Sequence, residues 1–290
     1  MSSRRNRKAP VIAVLNMKGG VGKTTISANL FRELFRVKKV NTLLIDLDAQ
    51  FNLTQLLMTR TEYDNLLTDE KTIQSIFQHE VPDSVFAVSE EYHLRLPDID
   101  SIVFNLKRIV DDDIKMQLLP GDFRLAMLNL KERAELRLPR RRFKLFIENA
   151  RDKYDLIVID CNPSTSFLTG CALEVASNIL VPVRPDKFSV LGVEMVLNFA
   201  QIFLGSGLIP DIKILLNDVG QGEPSQIANG LRSHSKLGPM VLVNELSHSE
   251  LLRARTDYTG FAPDRKVAYR KTVKGNLTEI AKEYSRSLGL

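Results

Sequence analysis

Two lysines five residues apart, Lys18 and Lys23, lie in the stretch LNMKGGVGKTT, Leu15 to Thr25. A glycine-rich loop ending in Lys-Thr does one kind of chemistry well: it holds phosphate. Gly19, Gly20 and Gly22 let the backbone approach an anion without Cβ clashes and turn its N–H groups toward it, and a helix opening at Lys23 adds its positive end. In such a loop the Lys23 ammonium neutralises the β- and γ-phosphates and the Thr24 hydroxyl ligates Mg²⁺. Met17 stands where the general pattern G-x-x-x-x-G-K-[ST] places its first glycine, and one lysine would suffice. The second lysine therefore needs its own explanation.

Carboxylates come next. LLIDLDAQ carries Asp46 and Asp48 at the end of one apolar run, and YDLIVIDCNPS carries Asp160 at the end of another. A lone aspartate there reads as a helix cap. Three carboxylates at two strand ends, beside a Lys-Thr loop, fit an Mg²⁺–nucleotide site better.

Elements that would position these groups follow from the apolar pattern. Runs at Val11–Leu15, Leu43–Leu47, Leu156–Ile159, Ile179–Val183, Ile212–Leu216 and Met240–Val243, with a weaker one at Met116–Leu119, are continuous and do not alternate. They predict parallel strands buried on both faces. Ile26, Leu30, Leu34 and Phe35 mark a helix behind the loop, and Ser247-x-x-Glu250 predicts a capping box opening another. Leu277, Ile280, Ala281, Tyr284 and Leu288 mark one face of a C-terminal helix docked on the body. The expected architecture is α/β: a single doubly wound, mostly parallel sheet with helices on both faces, over residues 11–290. Residues 60–115, polar and acid-rich, form an elaboration between the second and third strands, with apolar patches at Ile73–Phe77 and Ile102–Ile109.

K-G-G-x-G-K-T-T, then I-D-x-D-x-Q, then D-x-x-P together resemble the deviant-Walker partition ATPases, the ParA/MinD family of P-loop proteins. The resemblance implies ATP and Mg²⁺ as ligands, with Lys18, Gly19, Gly20, Val21, Gly22, Lys23, Thr24 and Thr25 around the phosphates. It implies that Lys18 reaches across a dimer to the partner's ATP while Lys23 serves its own. It implies that Asp48 orients the attacking water, that Asp46 and Asp160 support Mg²⁺ through its waters with Thr24, and that Asn217 reads adenine; as a residue alone, Asn217 also fits a strand-end turn. Gln50, Asn52 and Thr54 match polar positions after the second motif. Ala49 and Asn162 replace prolines common in the family, in loops that bear on hydrolysis and closure. No N-K-x-D guanine motif is present, which favours ATP over GTP.

Charge narrows the choice of function. The net charge is +5, with four Lys/Arg in residues 1–10 and nine Lys/Arg against four Asp/Glu in 251–290, leaving 11–250 at −4. Residues 1–10 are expected to be a basic tail. Arg253, Arg255, Arg265, Lys266, Arg270, Lys271 and Lys274 could neutralise DNA phosphates, while Arg140–Arg142 with Lys144 read as a solubilising helix face. The expected activity is slow ATP hydrolysis by a plasmid or chromosome partition ATPase. The expected partners are a second copy in an ATP-bound homodimer, nonspecific DNA and a stimulating ParB-type centromere-binding protein. A membrane-surface ATPase of the MinD kind is the alternative. It needs a free amphipathic C-terminal helix, and the tail YSRSLGL lacks bulky anchors. An electron-transfer ATPase resembling the nitrogenase iron protein would need a cysteine of each subunit at a shared cluster, whereas Cys161 and Cys171 read as packed thiols. The apolar runs are too short to span a membrane, and no secretory signal or disulfide framework is present. The chain is expected in the cytoplasm, associated with the nucleoid. With the loop opening so soon in this sequence and no helix-turn-helix extension before it, sequence-specific operator binding is not expected.

Overall fold

The computed structural model describes residues 8–78, 94–109, 113–205, 209–220, 226–255, 257–267 and 270–290. Its strands are β1 (Val11–Val14), β2 (Thr42–Asp46), β3 (Phe104–Ile109), β4 (Ile114–Leu119), β5 (Leu156–Asp160), β6 (Asn178–Val183), β7 (Asp211–Val219) and β8 (Leu246–Ser247). They form one eight-stranded sheet in the order β3-β4-β2-β5-β1-β6-β7-β8. Every neighbouring pair is parallel except β3 and β4.

The unbroken apolarity of the central strands has a direct cause. Val11, Ala13, Leu43, Ile45, Ile157 and Ile159 face one buried layer, while Ile12, Val14, Leu44, Leu156 and Val158 face the other. The first layer is filled by α6 (Arg137–Lys153), α7 (Phe167–Val175) and α8 (Ser189–Leu204), through residues such as Phe143, Phe146, Leu168 and Val196. The second is filled by α1 (Lys23–Lys38) and α10 (Arg270–Ser287). With both faces covered, neither can be polar. The remaining helices are α2 (Asn52–Leu57), α3 (Arg60–Thr68), α4 (Gln74–Phe77), α5 (Ile99–Ile102) and α9 (Gln226–Ser233).

The C-terminal helix is docked, as the periodicity predicts. Leu277, Ile280, Ala281, Tyr284 and Leu288 are all buried, and Phe31 of α1 meets Tyr284 edge-on at 6.2 Å. Glu33, fully buried on α1, accepts from Arg36 Nε at 2.8 Å, Arg32 at 3.3 Å and Thr278 Oγ1 at 2.7 Å. Leu277→Ala should therefore lower stability by about 2–5 kcal/mol, the usual effect of emptying a closed core site. Urea unfolding reads this directly, and a change below about 0.5 kcal/mol would mean the helix is not packed this way.

Four expectations need correction. Met240–Val243 is not a strand: Gly238–Met240 is a 3-10 turn with Pro239 in its first turn, Val241 makes a lone bridge to Ile214, and Val243 is exposed. Pro239 lacks the N–H that a ladder needs. The Ser247 capping box does not form either. Ser247 ends β8, and it is Ser249 whose hydroxyl accepts from Leu251 N, capping a single 3-10 turn, Glu250–Leu252. The elaboration supplies a strand of its own, β3, whose alternating Phe104-Asn105-Leu106-Lys107 pattern suits an edge; its residues 79–93 and 110–112 lie outside the described ones. Arg142 is no solubilising residue. It is buried on α6 and donates to the carbonyls of Ile76, Arg95 and Ser75, clasping the elaboration to the body. At the other end, residues 1–7 of the basic tail lie outside the described residues, while Ala9 and Pro10 are already buried at the foot of β1.

Candidate nucleotide-binding site

Three adjacent strands, β2, β5 and β1, end side by side. Asp46 is the register partner of Asp160, which in turn pairs with Val14. The chain leaves β1 through the glycine loop, so the loop lies over the carboxyl ends where an open α/β sheet keeps its crevice. Gly20 and Gly22 take left-handed backbone, φ 73° and 91°, and a Cβ on Gly22 would fall 2.3 Å from Asn217 Nδ2. Gly22 is also the N-cap of α1 and offers no side chain to the first-turn N–H groups. Those donors are the ones an anion would take.

The loop is held from both sides. Asn217, within β7 two residues before its end and paired there with Leu246, donates from Nδ2 to Val21 O at 2.7 Å. Asn16 donates to Pro182 O at 2.8 Å and accepts from Lys18 N at 2.9 Å. Lys23 is turned inward beneath the loop, its Nζ 3.3 Å from Lys18 O. Burial lowers the Lys23 pKa, against which the carboxylates of Asp160 and Asp48 act. A buried cation between carboxylates and an open ring of N–H groups is a receptor for a second, external anion.

Asp160 is buried and accepts from Thr24 Oγ1 at 2.8 Å and Ser27 Oγ at 2.7 Å. Burial pushes its pKa up to about 6. Asp46 is more enclosed still. Its Oδ2 takes the Thr54 N–H at 2.8 Å and the Thr54 hydroxyl at 2.7 Å, and burial, with Asp160 beside it, pushes its pKa up to about 8. Two buried acids with raised pKa values beside a hydroxyl form a hard oxygen set suited to a small divalent cation, whose charge would ionise them. Asp48 is also buried and accepts the Gln50 N–H at 2.9 Å on Oδ1.

Lys18 faces elsewhere. Its ammonium leaves the cradle, pairs with Asp186 in the loop after β6 and lies 5.7 Å from the Phe188 ring centre. Both charged side chains are 35% exposed.

The chain is similar to known proteins over most of its length. A family model described as an AAA domain matches residues 9–214, most of the chain. The chain belongs to the ParA/MinD family of P-loop ATPases. It is 30% identical over 210 residues to an uncharacterised protein of Methanocaldococcus jannaschii, covering 71% of this chain and 70% of that one. It is also 30% identical over 195 residues to a ParA family protein of Chlamydia pneumoniae, covering 66% of this chain; the match spans 64% of that protein, under two thirds of its length. Among solved structures, a plasmid partition protein of Borrelia burgdorferi bound to AMPPNP shares the fold, with a TM-score of 0.69 and 23% identity over 96% of this chain and 100% of that one. The doubly wound, mostly parallel α/β sheet expected from the apolar runs is the fold observed, and that partition protein shares it.

Of the residues singled out in the sequence, Gly19 to Thr25, Asp46, Asp48, Asp160 and Asn217 lie together at the carboxyl end of the sheet. Sequence reasoning did not single out Asn16, Ser27 or Asp186. Asp186 had a signal, an acid in the turn RPDKFS after a buried strand, but only the strand order, with β6 beside β1, puts it within reach of Lys18. The basic residues are more dispersed than the sequence suggests. Arg253 pairs with Glu250 at 3.0 Å and Arg255 with Asp257 at 2.8 Å. Arg265 is partly buried, donating to Leu251 O at 3.1 Å over the Tyr258 ring. Arg270, Lys271 and Lys274 share the start of α10, with Lys271 exposed and Lys266 exposed just before them.

Proposed function

We propose that this chain is a partition ATPase that binds Mg²⁺–ATP in the glycine loop, closes on a second copy as a sandwich dimer, binds nonspecific DNA and hydrolyses ATP slowly. The carrying observation is the division between the two lysines: Lys23 lies under its own cradle while Lys18 points out of it. Lys23 and the N–H groups from Gly19 to Thr25 would hold the phosphates, and Asn217 the base. Thr24 and Asp160 would hold Mg²⁺, with Asp46 supporting it through its waters and, one strand over, accepting the N–H of Asp48 at 3.4 Å, while Asp48 would orient the attacking water. When bound, Mg²⁺ would neutralise phosphate charge. A ParB-type protein is the proposed stimulating partner.

DNA is favoured over a membrane surface because α10 has its apolar face already packed, leaving no free stripe to insert. No helix among the described residues is long and apolar enough to cross a membrane. Charge at the start of α10 is better placed for phosphate than the ion-paired Arg253 and Arg255. If each subunit neutralises about three phosphates, the dimer contacts about six, and log K should fall against log salt with a slope near −5. The expected result is DNA binding in ATP but not ADP, abolished by the combined substitution of Arg270, Lys271 and Lys274 by Glu, with ATP turnover retained. Binding to anionic liposomes in ATP, with no DNA retardation in any nucleotide state, would reverse the choice.

A further inference from the structure

Tyr63 stands outside every motif, on α3, a helix with no buried residue. Its ring stacks on Phe51 with centroids 5.2 Å apart and planes 13° from parallel. Phe51 itself is unusual. It takes left-handed backbone, φ 40° and ψ 41°, a conformation that favours glycine and resists a bulky side chain. It also closes the turn that carries Asp48, since Phe51 N donates to Asp48 O at 2.8 Å while Gln50 N donates to Asp48 Oδ1. Something must hold a phenylalanine in that backbone, and the ring of Tyr63 lies flat against it.

A second route ties the stack to the neighbouring carboxylate, Asp46. Tyr63 OH donates to Gly121 O at 3.3 Å, Gly121 N donates to Thr54 Oγ1 at 2.8 Å, and Thr54 Oγ1 donates to Asp46 Oδ2. Gly121 has no room for a side chain: a Cβ there would fall 2.7 Å from Phe51 Cβ and 2.9 Å from Asp46 Cγ. Phe51 is thus enclosed by Gly121 on one side and Tyr63 on another. Upstream, α3 is set at its start by reciprocal bonds between Thr59 and Glu62, which fixes where Tyr63 begins its reach.

We infer that Tyr63 is a positioning residue for ATP hydrolysis: its stack on Phe51 fixes the turn that aims Asp48, so the start of the elaboration braces the catalytic loop. The inference rests on the proposed water-orienting role of Asp48. It gives the first helix of residues 60–115 a task that its surface position does not otherwise explain.

Steady-state ATP turnover of the full-length chain tests this, with Tyr63→Ala, Tyr63→Phe and Asp48→Ala measured together. A loop displaced by about 1 Å loses rate by ten- to a hundredfold. The expected result for Tyr63→Ala is a fall in kcat of at least about tenfold, with KM for ATP within about twofold of the parent, since the phosphate cradle is untouched. Tyr63→Phe keeps the stack and should stay within about twofold of the parent in kcat. Unchanged turnover in Tyr63→Ala would overturn the inference. So would an equal loss in Tyr63→Phe, or a loss appearing only in KM. If Asp48→Ala itself turns over normally, the reading of Asp48 fails first and the inference falls with it.

Discussion

Lys23→Ala should weaken ATP binding about a hundredfold, whereas Lys18→Ala should leave binding intact and remove the ATP-dependent dimer. The difference follows from where each ammonium lies. Lys23 is buried beneath the loop, and among the described residues no other lysine lies in the cradle to replace it. Losing a charge-assisted contact of about 3 kcal/mol to phosphate lowers affinity by about a hundredfold. Lys18 is parked on Asp186, outside the cradle, so its removal should change ATP affinity by no more than about threefold. A pair a third exposed is worth about 1 kcal/mol or less. Lys18 can therefore leave Asp186 at little cost for a partner's phosphate, where a desolvated charge pair contributes about 2–5 kcal/mol. Nucleotide titration and sedimentation velocity of both variants separate the roles. An ATP dimer of normal strength in Lys18→Ala would remove the proposal that this lysine acts across subunits.

Asp48→Ala should lower ATP turnover by about a hundredfold or more, the lower range for loss of a positioned acid–base group, while the dimer persists in ATP. The metal-side group of Thr24 and Asp160 stays intact in this variant, because neither bonds to Asp48. The substitution should therefore trap the closed state and not weaken it. Single-turnover hydrolysis and sedimentation on the same sample decide between this and a binding defect. Wild-type turnover would move water activation to another residue.

Much of this molecule was legible because its strongest constraints are local. A glycine loop after a buried strand, and carboxylates at strand ends, carry their geometry in their spacing, and continuous apolar runs follow from a sheet covered on both faces. What escaped depends on pairings that no local pattern records. Asp186 meets Lys18 because β6 adds beside β1. Arg142 sits in a basic run that reads as solvent-facing, yet it is buried by carbonyls from a segment about 50–70 residues away. Ser249 takes the capping role from Ser247 because the chain turns back after three residues. The alternating strand β3 was missed among continuous ones, since an edge strand needs only one apolar face.

Glu33 carries a further consequence. This carboxylate, wholly enclosed, grips two arginines of its own helix and a threonine of α10. Its two arginine partners travel with α1, so sliding α10 would cost the Thr278 hydrogen bond and with it one tie between the two helices. One enclosed carboxylate thus sets the register at which the last helix lies on the helix that follows the glycine loop.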